Sequence, residues 1–194
     1  MSKARLHPSL LELNGAMGDM VFKKRGKKVY VSIKSKGSTA DPSGAQLAQR
    51  KNFKKAVNYV KTVLADEGAR AFYEDLAQKR ETTLRALCMS DYLGKPTIED
   101  LDLSGYQGKV GDRILITTDD KVGVVTVDVS ITDTQGVIIE RGQAVEQGDG
   151  SGSWEYVATA PVALGTDIFI EAEAYDRPGH RTVSSANPIV GEKN

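Results

Sequence analysis

Between residues 113 and 182, apolar side chains recur at every second position, and no other feature of the chain narrows its fold as much. Val125, Val127, Val129 and Ile131 alternate with Thr126, Asp128, Ser130 and Thr132. Ile168, Ile170, Ala172 and Ala174 alternate with Phe169, Glu171, Glu173 and Tyr175. A β-strand sends successive side chains to opposite faces, so each run describes a strand with one buried face and one wet face. Trp154, Tyr156 and Ala158 repeat the pattern, and the run Arg113-Ile-Leu-Ile-Thr-Thr118 precedes it as a first strand. Turn-forming stretches at 132–136, 148–153 and 176–180 separate the runs. About six or seven short strands at this spacing predict an all-β sandwich over residues 106–190. Trp154 and Tyr156, at alternating strand positions, are expected in its core rather than on a recognition surface.

The chain before residue 106 follows a different period. Ser43 and Gln46 have the spacing of a capping box behind Asp41-Pro42, where a helix begins. Leu47, Phe53, Val57, Val60 and Leu64 then fall largely on one helical face, with Arg50, Lys51, Lys54, Lys55 and Lys61 around the rest. Asp66 is positioned to cap a second helix carrying Phe72, Leu76 and Ala77. A break near Glu81 precedes a third apolar run, Leu84, Leu87, Cys88 and Leu93, closed by Gly94 and Pro96. Upstream, Met20 and Phe22, then Val29, Val31 and Ile33, predict a β-hairpin turning through residues 23–28 with Gly26 at its centre. Gly15 and Gly18 mark another turn, or a place where a partner backbone comes close. A lone hairpin is marginal in water, so this one is expected to lean on the helices or on another chain.

The expected architecture is therefore α+β in two modules: residues 1–93 with a basic hairpin and two or three helices, a linker at 94–105, and the sandwich at 106–190. A composition of 40% apolar and 27% charged residues fits an ordinary globular core. The only cysteine, Cys88, rules out an internal disulfide and is expected to pack as a small buried residue. His7, Pro8, Glu12 and Asn14 interrupt the early apolar stretch, so neither a signal peptide nor a membrane span is expected there. The compartment stays open between cytoplasm and an assembled particle.

Formal net charge is +0, but it is unevenly distributed. Residues 1–61 hold 14 Lys plus Arg against 3 Asp plus Glu, and residues 62–194 hold 12 against 23. A basic end of this kind can bind nucleic acid or an acidic surface, and it can equally attract the acidic end of another copy. Lys23, Lys24, Arg25, Lys27 and Lys28 on the hairpin, joined by Arg50 and Lys54 on the first helix, are the candidate interaction residues. No aromatic residue is interleaved among them before Tyr30, so base stacking has little support. The plainer reading is a charged turn that protects a sheet edge from aggregation.

Chemistry that would mark an enzyme is missing from the pattern. Catalysis needs a nucleophile or an acid/base beside an orienting partner, and His7 and His180 sit in no such grouping. The stretch 105–109 has the wrong glycine spacing for a phosphate loop and places Val110 where Ser or Thr would hold magnesium. Asp119, Asp120 and Asp176 supply too few oxygens for calcium without further donors. No cofactor is expected. A surface- or carbohydrate-binding role finds no aromatic platform outside the expected core.

The stretch Ile168-Phe-Ile-Glu-Ala-Glu-Ala-Tyr-Asp-Arg-Pro-Gly-His180, with Trp154, Tyr156 and Gly165, resembles the end of bacterial immunoglobulin-like domains of the cysteine-free branch. That resemblance implies adhesive, spacer or assembly material and names no ligand. Gly15, Gly18, Asp19, Val21, Phe22 and Gly26, followed by Ala45, Gln46, Gln49 and Arg50, resemble the N-terminal pattern of uncharacterised Bacteroidetes-type or phage-related proteins. That second resemblance implies only that hairpin and first helix form one unit. Together these readings predict a non-enzymatic structural protein whose partner is itself or another protein of an assembly, with nucleic acid as the alternative.

Overall fold

A computed structural model describes residues 14–25, 28–34, 41–148 and 150–191. The chain divides into two compact units between Gln46 and Leu47. The first holds an antiparallel meander of β1 (Gly15–Met17), β2 (Met20–Arg25) and β3 (Lys28–Ile33). Met17 faces Met20 across a two-residue turn whose first position, Gly18, has φ 59°. A side chain is strained in that conformation, and glycine is the residue that type II′ hairpin turns place there.

Pairing in the second hairpin continues through Lys23 opposite Tyr30 and Lys24 opposite Val29 to Arg25 opposite Lys28. The turn is thus tighter than the expected 23–28, and four of the five cations lie on strands. Gly26 and Lys27 lie outside the described residues.

Helices follow, the unit boundary falling in the first turn of the first one. Ser43 caps α1 (Gly44–Ala65) through the reciprocal box: its amide donates to Gln46 Oε1 at 3.0 Å, and the Gln46 amide donates to Ser43 Oγ at 3.3 Å. Asp66 caps α2 (Glu67–Lys79), its carboxylate accepting from the Ala69 amide at 2.7 Å. Thr83 caps α3 (Leu84–Leu93) after Glu81 takes φ 49°. Val60, Val63, Tyr73, Ala77, Leu87 and Cys88 form the helical core. None of the described helices is long and apolar enough to cross a membrane.

Two four-stranded antiparallel sheets follow. One runs β4 (Thr97–Asp102), β5 (Arg113–Asp119), β9 (Ser153–Val157), β8 (Val145–Glu146) in spatial order. The other runs β11 (Arg181–Ala186), β10 (Ile168–Asp176), β6 (Val124–Asp133), β7 (Ile138–Gln143). In immunoglobulin lettering these are A-B-E-D and G-F-C-C′, so the sandwich has the immunoglobulin strand order. Its core takes Ile114, Ile116, Val127, Val129, Ile131, Trp154, Tyr156, Ile168 and Ile170 from both inner faces. Burying each large aliphatic side chain here contributes about 1.5–3 kcal/mol. The architecture is α+β with a β-sandwich.

Strand β4 corrects the expected linker at 94–105. It pairs with β5 from Thr97 opposite Asp119 to Asp102 opposite Leu115, with a bulge at Glu99. The bulge puts Ile98 and Leu101, which pack against the core, three residues apart, so the strand has no visible alternation. From Leu47 onward the helices likewise share one compact unit with the sandwich, and only the first turn of α1 groups with the hairpin.

Candidate functional site

The predicted interaction residues fall on two separate elements. Lys23 and Lys24 are exposed on β2. The register puts Lys23 on one face with Val21 and Tyr30, and Lys24 on the other with Met20, Phe22, Val29, Val31 and Ile33. That second face is apolar, and much of it is open to solvent: Ile33 is 81% exposed, and Met17, Met20 and Val31 are exposed as well. Arg25 and Lys28 belong to the strands, their side chains lying outside the described residues, as does Lys27 entirely.

Arg50 and Lys54 stand one turn apart on α1. Every residue from 44 to 55 is exposed, including Phe53 at 54% and Leu47 at 52%. The apolar face expected of α1 is therefore not core along its first turns. Only Ala56, Val60 and Val63 are buried, on a stripe rotated from Phe53 and Val57. The helix carries five Lys or Arg and no Asp or Glu. Its first three turns form a basic arm with apolar side chains in water, which a helix normally covers.

Behind the arm, the helices are pinned to the sandwich end formed by the β5–β6 and β10–β11 connections. The Arg177 guanidinium lies 3.7 Å from the centre of the Phe72 ring. Arg80 donates to the Lys121 carbonyl, and the His180 ring packs edge-on against Tyr92 with centroids 5.3 Å apart. Beneath these contacts runs a buried polar chain. The hydroxyl oxygens of Tyr59 and Tyr73 are 2.8 Å apart, and Tyr73 donates to Asp91 Oδ2. Asp91 Oδ1 has no hydrogen-bond partner among the described residues. Burial pushes the Asp91 carboxyl up from 3.8 to about 6; the Tyr73 hydrogen bond and Arg177 oppose the shift, and Asp120 and Asp176 add to it.

This shift has a definite sign for stability. Between about pH 4 and 6 the unfolded chain releases a proton that folded Asp91 retains, so its contribution falls as pH rises through that window and is flat above it. Urea titrations at several pH values should show this decline in the parent chain and lose it in Asp91→Asn. An equal slope in both would assign the dependence to other groups.

The remaining candidates are occupied. Asp176 accepts from the His180 amide at 2.6 Å and lies 2.7 Å from His180 Nδ1, so the turn gives His180 an orienting carboxylate, against the expectation that it has no such partner. Asp120 accepts from the Val122 and Gly123 amides, each at 2.9 Å. Among the described residues no three His, Cys, Asp or Glu side chains are arranged to hold a metal ion. In the glycine loop the Gln107 and Lys109 amides both donate to Asp112 Oδ2 at 2.8 Å, so a carboxylate holds the place a phosphate would need. Cys88 is fully buried, and burial pushes its thiol up to about 11, away from reactivity. Trp154 and Tyr156 are core residues.

Two features of the sandwich were not visible as patterns. At the end away from the helices, buried Glu140 accepts through Oε2 from Tyr156 Oη at 3.1 Å, from Thr159 N and Oγ1 each at 2.7 Å, and from Ala160 N at 3.1 Å. At the same end a groove of about 550 Å³ opens between β4 with its following loop and the segment 186–191. Leu101, Leu103, Pro188 and Ile189 line it, with Asp100 and Asp102 among its polar groups.

Comparison with family profiles matches no family, and comparison with curated proteins matches none of them. Among solved structures, CopC from Methylosinus trichosporium OB3b is 18% identical, covering 47% of this chain and 89% of its own, with a TM-score of 0.37. A tetra-tandem repeat from the extending region of a large adhesion protein is 24% identical, covering 50% of this chain and 24% of its own, with a TM-score of 0.33.

Proposed function

We propose that the chain is a non-enzymatic assembly protein that self-associates or docks through its basic N-terminal elements, with the immunoglobulin-like sandwich as an acidic spacer and docking body. The observation that carries this reading is α1, whose residues 44–55 are all exposed although they include Leu47 and Phe53. Exposed apolar surface bordered by one sign of charge is the composition of an interface awaiting its partner. The open apolar face of the meander points the same way. The reading is also supported by where two reactive side chains sit: Cys88 and Asp91 are buried. The strand order fits the resemblance to bacterial immunoglobulin-like assembly domains, and a bacterial or phage particle is the setting that suits it.

Light scattering across a salt series tests the proposal. Association should be strongest at low salt and weaken as salt screens the opposed charges. Replacing Lys23, Lys24, Arg25, Lys27, Lys28, Arg50 and Lys54 with Gln should leave a monomer. A parent chain that is strictly monomeric at low salt would sink self-association.

Nucleic-acid binding is the second reading, favoured by the absence of any carboxylate on α1. A filter-binding titration separates the two, since the same Gln variant must then lose affinity and flatten the salt dependence.

A further inference from the structure

The sandwich has two ends, and the chain treats them differently. The end carrying the β5–β6 and β10–β11 connections is covered by the chain's own helices, through Phe72 under Arg177, Arg80 on Lys121 and Tyr92 on His180. In immunoglobulin variable domains the equivalent loops do the recognising, so here that surface is already spent. Within the second unit, the opposite end has no such cover among the described residues. Large apolar side chains stand in solvent there, with Leu164 at 73% and Val110 at 62% exposed. The groove between β4 and residues 186–191 opens beside them, and its lining mixes apolar Leu101, Leu103, Pro188 and Ile189 with Asp100 and Asp102.

Resting on the self-association reading above, we infer that this groove receives the exposed first turns of α1 from a second copy, so that copies join head to tail. Three observations select that occupant. The arm offers apolar Leu47 and Phe53 amid Arg50, Lys51, Lys54 and Lys55, and the groove offers Leu101, Leu103, Pro188 and Ile189 beside two carboxylates, so both chemistries are complementary. Arm against arm fails, because α1 holds five cations and no anion and like charges would face each other. Finally, the helices occupy one end of the sandwich and the groove opens at the other, so docking one copy leaves a free groove and a free arm. Such a contact joins two different patches, and it propagates into a chain or closes into a ring.

Complementation by sedimentation velocity at low salt tests this. The arm variant carries Phe53→Asp with Lys54→Glu, and the groove variant carries Asp100→Lys with Ile189→Lys. Circular dichroism should confirm that both fold. Each alone is expected to be monomeric, while an equimolar mixture should give dimers and nothing larger, because one intact arm then meets one intact groove. Should Ile189→Lys loosen the fold, Asp100→Lys alone must still weaken association by roughly tenfold, the scale of one lost charge pair at an interface. A parent chain that assembles while either variant assembles equally well, or a mixture that stays monomeric, overturns the head-to-tail contact and leaves self-association standing. A parent chain that never assembles removes both.

Discussion

Replacing Glu140 with alanine is expected to lower the stability of the sandwich by about 3 kcal/mol, a large fraction of the 5–15 kcal/mol typical of a folded domain. The carboxylate is the acceptor for four donors on two elements: Tyr156 Oη, Thr159 N and Oγ1, and Ala160 N. Truncation leaves the buried Tyr156 hydroxyl without its acceptor and frees the two amides that hold the β9–β10 connection. An orphaned buried donor costs about 1–3 kcal/mol, though Thr159, being exposed, can recover part of this from water. Glu140→Gln keeps an acceptor oxygen and the same reach, so it should lose only about 1 kcal/mol. Urea midpoints for the two variants check this, and an alanine variant as stable as the glutamine one would show that the hub does not hold the loop. The same region depends on Gly142, where a Cβ would sit 2.9 Å from Tyr156 Cε2, so the ring lies directly on the β7 backbone.

Gly152→Ala should cost about 2–4 kcal/mol, for two separable reasons. Its φ is 71°, and an added Cβ would lie 2.4 Å from the Thr118 carbonyl oxygen, which belongs to a backbone that cannot swing aside. Thr118 is held there by its own amide, donating to the Gly152 carbonyl at 2.7 Å, and its Oγ1 accepts from Trp154 Nε1 at 3.1 Å. Gly150→Ala is the control, since Gly150 has φ 69° with no atom of the described residues beyond its chain neighbours within 4 Å of its would-be Cβ. That variant should lose only the left-handed backbone term, about 1–2 kcal/mol. Thermal unfolding followed by Trp154 emission reads both, because Trp154 is the only tryptophan. Equal losses at the two positions would mean that the close approach relaxes freely.

Much of this fold was legible because its signals are local. Alternation places Val127, Val129, Ile131, Ile168 and Ile170 on inner faces, and their burial follows from pleat geometry alone. The caps at Ser43 and Asp66 were legible for the same reason, since donor and acceptor are three residues apart. Strand β4 was hidden by the bulge at Glu99, which breaks the period that announces a strand. The exposure of Phe53 was hidden differently: helical periodicity shows that a face exists and is silent about what covers it. Glu140 gave no signal either, because a charged residue at an inward position becomes intelligible only when four donors from distant sequence arrive around it. Of the candidate site, the charge of the arm was readable from composition, while the groove depends on two segments brought together by the sandwich.

The helical core and the sandwich core each contain a residue type found once in the chain. Cys88 is sealed among Val63, Tyr73 and Leu87, and Trp154 lies between the sheets. A thiol reagent reaches Cys88 when the helical layer comes apart, whereas tryptophan emission reports on the packing between the sheets. The protein therefore carries one gauge of unfolding in each of its two cores. Comparing their rates reveals whether the helices leave the sandwich as a separate event or whether the whole body opens at once.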